Sequence, residues 1–497
     1  MTFETACTRS GRTIEFNISN GMAGGMKQVF FTRDRKEVVA FFHKAQSDFA
    51  RENRLLKVIS DHNPTLPGKP NFSYWKELFC WPTDLIDHPR LGLGMLIPSY
   101  PSRFIFDNGL CKGKEKDGGW FTCIDPKTKK LLRYSRVDPL ERGNLGGYIS
   151  SLIRVSRAVQ RMHMAGLAHA DLSDRNVLID PVSGSAIVID LDALVVPGVF
   201  PPDVLGTRGF IAPEVLATQN LHLEDSNRKH ACAETDKYAL AVLIYKYLLE
   251  RHPLEGSRIL KGLTPEQENE AEFGIQALYS EHPIDKSNRP SGKYYPASIM
   301  GAAFEKLCSN TFVLGIHTPN LRPSASDWEK VLSAAFDSMR ACENPSCTHK
   351  MFVLINPQKP KCPYCGKISK GTFSILKFAY VDKTNYTRNE GELVLNGYLG
   401  GSGTQLYKYH THRNSLRGAG QDSSPVARVV FLKDPTPTFY LQNISLPFFM
   451  VRNVKAGMPN FQSLSLNSKI MLCSGLEFKF GNEIDARTGI VETYPSI

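Results

Sequence analysis

Residues 169–192, HADLSDRNVLIDPVSGSAIVIDLD, constrain this chain more than any other stretch. Asp171 follows His169 by two residues, and Asn176 follows Asp171 by five. A short apolar strand then ends at Asp190. One carboxylate can orient an attacking hydroxyl, while an amide and a second carboxylate can hold magnesium against phosphates. Phosphoryl transfer requires functional groups of these kinds. The plainer alternative is a polar turn between a helix and a β-hairpin.

The spacing resembles the catalytic loop HRDLxxxN and the DFG metal motif of protein kinases. The resemblance implies that Asp171 orients the acceptor hydroxyl and that Asn176 and Asp190 bind Mg²⁺. The sequence DLD, which ends at Asp192, stands where DFG is usual. Ala170 replaces the usual arginine, so we expect no arginine receptor for a phosphorylated activation loop.

The composition fits a multidomain cytoplasmic protein. The 497 residues are 42% hydrophobic, enough for two to four domains. No apolar run of about 18 residues and no signal-peptide pattern is evident, so we expect no membrane segment. Eleven cysteines, four of them in two pairs, fit reduced thiols and one metal site. The net charge of +11 favours acidic partners or phosphates. Part of it lies at 112–136, where we expect a solvated hairpin and no nucleic acid.

The first 100 residues resemble the N-terminal lobe of a kinase. The loop NGMAGGMKQVFF contains Gly24 and Gly25, which let a backbone approach phosphates closely, and Lys27 stands where the kinase loop has its last glycine. Val29 is expected to cover one face of adenine. The helix FARENRLL resembles the kinase αC helix and places Glu52 at its inward position, where it would be catalytic.

The lysine that should pair with this glutamate is missing from its strand, EVVAFFHK. Ala40 occupies the lysine position if a workable connector is to reach Glu52. The chain is then either a natural pseudokinase or the carrier of a deliberate Lys→Ala substitution. A shifted register that uses Lys44 is the remaining alternative. With Ala40 in this position, we expect nucleotide binding with weak or no phosphoryl transfer.

Residues 91–98, LGLGMLIP, predict the strand that leads to the hinge between the lobes. Leu96 is expected at the back of the adenine pocket, and Ile97 begins the hinge that binds adenine through its backbone. Residues 101–340 then resemble the C-terminal lobe, with an insertion at about 104–143. Its expected landmarks are the helix 145–164, the APE-motif glutamate Glu214 paired with Arg322, and Asp236 at the start of a long apolar helix that anchors the catalytic loop.

Four cysteines predict a structural zinc ribbon at 341–370. The pairs are Cys342-x4-Cys347 and Cys362-x2-Cys365, separated by a β-like hairpin, MFVLINPQKPK. Four thiolates at this spacing can close a tetrahedral zinc site and leave no open coordination position, so this metal should not be catalytic. A segment this short could not bury a core without the metal.

Residues 371–497 predict an all-β module, because short alternating strands are separated by Gly, Asn, Ser and Pro. The end of the module resembles the last strands of a forkhead-associated sandwich. No convincing phosphate-reading Arg and Ser pair accompanies it, so protein docking is the expected role.

Together these features predict an α+β chain: a bilobal kinase fold, a zinc ribbon and a C-terminal all-β sandwich. The chain resembles bacterial Hanks-type serine/threonine kinases, and most closely the zinc-ribbon kinase of the tellurite-resistance-associated TerY-P triad. The resemblance implies ATP, Mg²⁺ and structural Zn²⁺, a protein substrate, and two partners, a von Willebrand A-domain protein and a PP2C-type phosphatase. The alternatives are a pseudokinase scaffold that binds nucleotide and, in a different class, a zinc-ribbon adaptor for nucleic acid.

Overall fold

A computed structural model of the chain describes residues 2–23, 26–43, 49–199, 206–258, 263–381, 386–395, 402–413, 424–432, 438–483 and 485–495. The protein divides into two compact units. The first contains residues 1–143, 150–297 and 303–329, and the second contains residues 144–149, 298–302 and 330–497.

The first unit begins with a small, mostly β lobe. Its elements are β1 (Phe3–Cys7), β2 (Thr13–Asn17), β3 (Met22–Ala23), β4 (Lys27–Phe31), β5 (Glu37–Phe42), α1 (Phe49–Ser60), α2 (Phe72–Leu78), β6 (Asp84–His88) and β7 (Gly92–Pro98). Strands β1 and β2 form a ribbon, and the next five strands form an antiparallel sheet in the order β3-β4-β5-β7-β6.

The two faces of this sheet bury different side chains, because successive residues of a strand point to opposite faces. One face packs against the ribbon through a cluster that includes Phe16, Val39 and Leu96. The other face packs against α1 through a cluster that includes Ala40 and Met95. The face that carries Ala40 is therefore also the face of Met95.

A larger, mostly helical lobe follows. Its elements are α3 (Gly119–Thr122), α4 (Leu132–Ser135), α5 (Leu145–Met164), β8 (Val177–Asp180), β9 (Ser185–Val188), α6 (Pro213–Leu216), α7 (Ala233–Leu249), α8 (Pro265–Phe273), α9 (Ala302–Ser309) and α10 (Ala325–Asp337). Helices α5 and α10 have residues in both units. Helix α7 is apolar on all sides and buried along most of its length, so it forms the core of this lobe.

The basic insertion matches the predicted solvated hairpin only in part. Ile124 and Leu131 form an antiparallel bridge, and Lys127, Lys129 and Lys130 in the turn between them are exposed, as are Lys112 and Lys114. Lys116 is only 4% exposed and lies 3.2 Å from Glu141 and 3.4 Å from Asp180, so its charge is neutralised inside the fold. Arg136 is paired with Asp125 at 2.9 Å. Asp125 and Glu141 belong to the insertion itself, whereas Asp180 comes from the end of β8, a contact that amino-acid composition could not reveal.

The second unit contains a short ribbon and two larger sheets. Its strands and short helix are β10 (Met339–Ala341), β11 (Met351–Val353), β12 (Phe373–Val381), β13 (Thr387–Val394), β14 (Ser402–Leu406), α11 (Lys408–Thr411), β15 (Ala427–Leu432), β16 (Thr438–Asn443), β17 (Met450–Asn453), β18 (Met458–Ser463), β19 (Lys469–Met471), β20 (Glu477–Lys479) and β21 (Thr488–Tyr494).

The larger sheets of this unit share one apolar core. One has six strands in the order β13-β12-β21-β20-β17-β18, and the other has four in the order β14-β15-β16-β19. Leu376 and Phe478 of the first sheet belong to the same buried cluster as Val429 and Leu441 of the second. The alternating pattern of the sequence is seen in strands such as β17 and β21, which bury alternate residues, but not in β18 and β19, which bury none.

In the described ranges, no helix combines the length and apolar character needed to cross a membrane.

The ion pair expected between Glu214 and Arg322 is present. Arg322 Nη1 and Nη2 donate to the two carboxylate oxygens of Glu214 at 2.8 and 2.7 Å, and Arg322 Nε donates to the Gly315 carbonyl at 2.8 Å. The Arg322 side chain is fully buried, whereas that of Glu214 retains 23% exposure. This bidentate pair joins residues 108 positions apart.

Replacing Arg322 with methionine should lower the free energy of unfolding by about 3 kcal/mol, because it leaves a largely buried carboxylate without its partner. The matched control is Arg208→Met, which removes an exposed arginine 3.4 Å from Glu272 and should cost less than about 1 kcal/mol. Urea denaturation followed by tryptophan fluorescence measures both changes. Equal effects of the two substitutions would contradict the structural importance of the pair.

Candidate active site

The loop that follows α5 is held by Asp236, in the first turn of α7. Asp236 Oδ2 accepts a hydrogen bond from the backbone N–H of His169 at 2.7 Å and lies 3.2 Å from Nε2 of His163. The His169 ring in turn donates from Nε2 to the carbonyl oxygen of Ile189 at 3.0 Å. One buried carboxylate therefore positions the loop, and the loop positions the residue next to Asp190.

The carboxylate of Asp171 is oriented from both sides. Asn176 Nδ2 donates to Oδ2 at 3.0 Å and to the Asp171 carbonyl oxygen at 2.8 Å, while Thr207 Oγ1 donates to Oδ1 at 2.8 Å. Ala170, directly before it, has φ of +67°, a left-handed conformation that is uncommon for a residue with a side chain. A side chain held in this way can accept a proton or a hydrogen bond from a hydroxyl in one fixed direction.

The insertion contacts the same loop through hydrogen bonds to Asp174. Thr122 Oγ1 and Lys246 Nζ donate to Asp174 Oδ2 at 2.8 and 2.7 Å. The Gly118 N–H donates to the Asp174 carbonyl at 2.5 Å, and a β-carbon at Gly118 would lie 2.6 Å from that oxygen. Only glycine allows this approach, so the insertion is part of the scaffold of the site.

Asn176 directly precedes β8 and Asp190 lies two residues after β9, so both residues lie at the open end of the hairpin that these strands form. Val177 pairs with Val188, and the N–H of Ile189 donates to the Asn176 carbonyl at 3.0 Å, so the ladder continues to the residue before Asp190. Asp190 itself has φ of +64° and begins the 3₁₀ turn Leu191–Ala193. Asp192 lies within this turn, and its side chain is only 5% exposed.

The ammonium group of Lys27 lies between these two carboxylates. Lys27 Nζ donates to both Asp190 Oδ1 and Asp192 Oδ1, and the lysine side chain is 18% exposed. Burial alone would lower the pKa of Lys27, but the charges of Asp192 and Asp190 outweigh it and raise the pKa above its usual value. Burial raises the pKa of Asp192, whereas at Asp190 the Lys27 charge overcomes burial and lowers the pKa.

Glu52 was predicted to face inward and pair with a lysine of β5, but its described contacts are with a different residue. Its Oε1 accepts from Arg9 Nη1 at 2.7 Å, and Arg9 also contacts Asp87 at 2.8 Å. Arg51, one residue earlier on α1, is buried with its guanidinium 4.8 Å from the ring centre of Phe42. Arg51 and Leu55 are thus among the α1 residues that face the sheet, and the described contacts of Glu52 are with Arg9, which follows β1 in the same lobe.

The structure also separates the residues predicted to contact adenine. Val29 and Ile97 pack on the cluster that contains Ala40, as expected for one wall of a cleft. Leu96 belongs to the cluster on the opposite face of the sheet, so its side chain does not share that wall. Met95, which is paired with Ala40, takes the position predicted for Leu96. The prediction was displaced by one residue, which in a strand reverses the face.

Three further residues of the predicted site, Gly24, Gly25 and Lys44, lie outside the described residues.

The donor set suits a hard divalent cation. Asn176 supplies an amide oxygen and Asp190 and Asp192 supply carboxylates, and oxygen ligands of this kind are those that Mg²⁺ prefers. When bound, magnesium would neutralise the charge on nucleotide phosphates. The residues of this chain would then hold the cation with Asn176 and Asp190 and orient an acceptor hydroxyl with Asp171.

The four cysteines form a second, separate cluster in the second unit. Their sulfur atoms lie within 4.8 Å of one another, with Cys342 Sγ 3.4 Å from Cys365 Sγ and Cys347 Sγ 3.9 Å from Cys362 Sγ. Tetrahedral Zn–S bonds would place sulfurs roughly 3.8 Å apart, so the cluster fits zinc. Burial raises the pKa of Cys342 to about 11 and also raises the pKa of Cys362. At Cys365, hydrogen bonds from the Lys367 backbone and neighbouring side chains outweigh burial and lower the pKa to about 7. Zinc would therefore displace protons from Cys342 and Cys362 when it binds.

The β pairing of this segment differs from the predicted hairpin. β11 pairs with β10, which precedes the first cysteine pair, in the register Met339–Val353 to Ala341–Met351. The loop between the two paired strands thus carries Cys342 and Cys347. His349 stacks on Tyr364 with ring centres 3.6 Å apart and is not among the clustered metal-ligand residues of the described chain.

Sequence reasoning missed Lys27 and Thr207 as site residues. Thr207 lies in the segment GTRGFIAPE, of which only Glu214 was assigned a role from the sequence. Lys27 was interpreted as a substituted glycine, although it lies two residues before Val29 and therefore on the same face of β4. That alternation was the available indication that Lys27 points into the cleft.

Comparison with known protein families supplies an independent result. Residues 135–315 match the family described as the protein kinase domain. This range contains the loop with Asp171, the hairpin that ends at Asp190, and the helix that begins near Asp236. Residues 135–315 carry a protein kinase domain. Protein kinases are transferases that act on protein substrates and use ATP with Mg²⁺.

Solved structures with similarity to the chain include two from Toxoplasma gondii. A rhoptry kinase aligns with 17% sequence identity over 66% of this chain and 81% of its own, with a TM-score of 0.39. The kinase domain of a specific rhoptry antigen aligns with 15% identity over 63% of this chain and 87% of its own, with a TM-score of 0.35. The comparison with curated proteins gave no match.

The protein purified from zinc-supplemented cells should contain one zinc ion per chain, measured by elemental mass spectrometry. Cys362→Ser should lose this zinc, because three thiolates bind far less tightly than four, and the control Cys7→Ser, at an exposed cysteine outside the cluster, should retain it. Removal of the metal should also make residues 341–370 sensitive to limited proteolysis. Equal zinc contents in the two variants would exclude the predicted site.

Proposed function

We propose that this kinase phosphorylates serine or threonine hydroxyl groups of a protein substrate, with Asp171 orienting the hydroxyl. Asn176 and Asp190 would hold Mg²⁺ on the phosphates of ATP. The observation that carries the proposal is the fixed Asp171 carboxylate, hydrogen-bonded by Asn176 and Thr207 within the segment that matches the kinase domain. Proton acceptance by such a group typically contributes about 10²–10⁴-fold to a rate.

The contact with Thr207 supports the preference for an aliphatic hydroxyl. Its Oγ1 reaches Asp171 Oδ1 at 2.8 Å from a side chain with a single carbon between the hydroxyl and Cα. A serine or threonine of a substrate presents its hydroxyl in the same way. Gly206, directly before Thr207, has φ of +100°, a conformation that a side chain would strain, and it brings the threonine to the carboxylate.

The adaptor alternative needs lysines and arginines that are available to nucleic-acid phosphates. In the insertion, Lys116 is buried between carboxylates and Arg136 is paired with Asp125, whereas Lys112, Lys114, Lys127, Lys129 and Lys130 are exposed. Steeply salt-dependent binding of DNA or RNA would favour the adaptor. The scaffold alternative rests on Ala40, and it predicts nucleotide binding without transfer. The two activities can be measured separately on the same preparation.

The finer family assignment remains a proposal from sequence resemblance. We propose that the chain acts in the cytoplasm of a bacterium with a von Willebrand A-domain protein and a PP2C-type phosphatase, as in the TerY-P triad. The C-terminal β module, residues 371–497, would provide docking for such a protein.

Asp171→Asn should reduce transfer of radiolabelled phosphate from ATP by about 10²–10⁴-fold, because the amide cannot accept the hydroxyl proton. Affinity for the nucleotide should change little, since Asp171 contacts the acceptor and not the phosphates. The control Asp285→Asn, at an exposed loop aspartate, should retain full activity. A wild-type chain that binds nucleotide but transfers no phosphate to itself or to generic protein acceptors would support the scaffold alternative.

Phosphoamino-acid analysis of the labelled product should yield phosphoserine and phosphothreonine. Phosphotyrosine as the main product would contradict the proposed preference, because the longer tyrosine side chain places its hydroxyl farther from the backbone than Thr207 does.

A further inference from the structure

The strand expected to supply the phosphate-binding lysine has none in its described part. β5 runs from Glu37 to Phe42, and Ala40 is fully buried in the cluster formed with Leu55 and Met95. A methyl group at this position can contact neither a phosphate nor a carboxylate by hydrogen bonding. Phosphoryl transfer nevertheless requires positive charge beside the phosphates.

The neighbouring strand places a lysine on the same face. In the antiparallel register of β4 and β5, Lys27 is opposite Phe42 and Val29 is opposite Ala40. Side chains opposite each other share a face, so Lys27 and Ala40 are diagonal neighbours on one face, with Cβ atoms about 7–8 Å apart. The flexible four-carbon stem of lysine can bridge this offset and bring its ammonium to the place that a lysine at Ala40 would reach.

The ammonium of Lys27 does reach the metal segment. It donates to Asp190 and Asp192, which lie 163 and 165 residues away along the chain. Asp190 is also the residue predicted to bind the magnesium ion on the phosphates. Lys27 therefore links the strand after the glycine loop to the metal-binding carboxylate, which is the junction where nucleotide phosphates would lie.

The helix α1 does not supply the partner that a lysine on β5 would need. Glu52 is engaged by Arg9, and the buried residue at the preceding position is Arg51. The described contacts thus replace a lysine–glutamate pair within the small lobe by a lysine–aspartate contact between the two lobes. The absence of a lysine from β5 and the pairing of Glu52 with Arg9 are consistent with each other. Without that lysine, Glu52 has no partner on β5, and with Glu52 paired to Arg9, a lysine on β5 would have no glutamate partner.

We propose that Lys27 of β4 is the phosphate-binding cation of this kinase and compensates for Ala40 of β5. The inference rests on the proposed function for the transfer step, but its contribution to nucleotide binding can be measured without transfer. It also changes the expected consequence of Ala40: the chain should be an active kinase whose lysine comes from the adjacent strand. A lysine that serves only as a structural ion pair would not be replaceable from position 40.

The test compares Lys27→Met, Lys27→Arg, the double variant Lys27→Met/Ala40→Lys, and the control Lys36→Met at an exposed lysine of the same hairpin. Calorimetry with the magnesium complex of a non-hydrolysable ATP analogue measures affinity, and radiolabel transfer measures activity. Lys27→Met should weaken binding about tenfold or more, equivalent to one charge-assisted hydrogen bond, and reduce transfer by about 10²-fold or more. The double variant should recover a large part of both, and Lys36→Met should match the wild type.

Thermal unfolding of each variant identifies loss of structure, and Lys27→Arg keeps the charge if the methionine variant fails to fold. Lys27→Met with wild-type affinity and transfer would overturn the inference. A loss in a folded variant that lysine at position 40 does not restore would also overturn it, in favour of a structural ion pair, whether or not arginine at position 27 restores it. If the wild type transfers no phosphate, the proposed function fails, and the affinities alone decide the role of Lys27. A wild type that binds no nucleotide overturns both.

Discussion

The buried carboxylate of Asp236 is the interaction on which the arrangement of the active site depends. It binds the backbone of His169, and the ring of His169 binds the carbonyl of Ile189, so one chain of hydrogen bonds runs from α7 to both the Asp171 loop and the metal segment. Helix α7 can hold Asp236 in a fixed position because the helix is buried on nearly all sides. It cannot shift without disturbing the core of its lobe.

The anchored loop tolerates unfavourable backbone conformations. Ala170 and Asp190 both have positive φ, which costs roughly 1–2 kcal/mol for each residue with a side chain. Hydrogen bonds that involve a charged group contribute about 1.5–3 kcal/mol each, so the bonds to Asp236 and Asp174 are large enough to offset this cost. The strained residues are Ala170, next to Asp171, and Asp190 itself, and both of these aspartates have side chains fixed by hydrogen bonds.

The electrostatics of the cleft require a cation near Asp190 and Asp192. Two carboxylates that face one another in a partly buried site repel, and a like-charged pair of this kind is stable only with a proton, a metal ion or a basic side chain beside it. Lys27 supplies that charge from β4, and magnesium would add to it when nucleotide binds. The strand that carries the lysine matters less than the face on which the lysine lies, because side chains of neighbouring antiparallel strands on one face can reach the same space.

The insertion illustrates how composition and structure can diverge. Its lysines and arginines suggested a solvated surface, yet Lys116 is buried and Gly118 packs against the backbone of Asp174. Two of the charges, on Lys116 and Arg133, attach the segment to the large lobe through Asp180 and Glu250, whereas the other lysines of the stretch are exposed. A stretch of similar composition without Glu141 and Asp180 nearby would be exposed, because an unpaired buried ammonium is too costly.

The sequence alone determined the features that depend on local spacing or on resemblance to a known motif. These are the order of Asp171, Asn176 and Asp190 around a short hairpin, the pairing of Glu214 with Arg322, and the four cysteines that can converge on one metal ion. Each follows from residues close together or from a motif whose partners have fixed positions. The folded chain bears out the last two directly.

Only the tertiary structure decided which side chains share the cleft. It placed Lys27 beside Ala40, put Met95 where Leu96 was expected, and paired Glu52 with Arg9. These outcomes depend on strand register and on helix orientation, where a displacement of one residue reverses the direction of a side chain. Register is set by the packing of both faces of the sheet against distant parts of the chain, and that information is not contained in any local pattern.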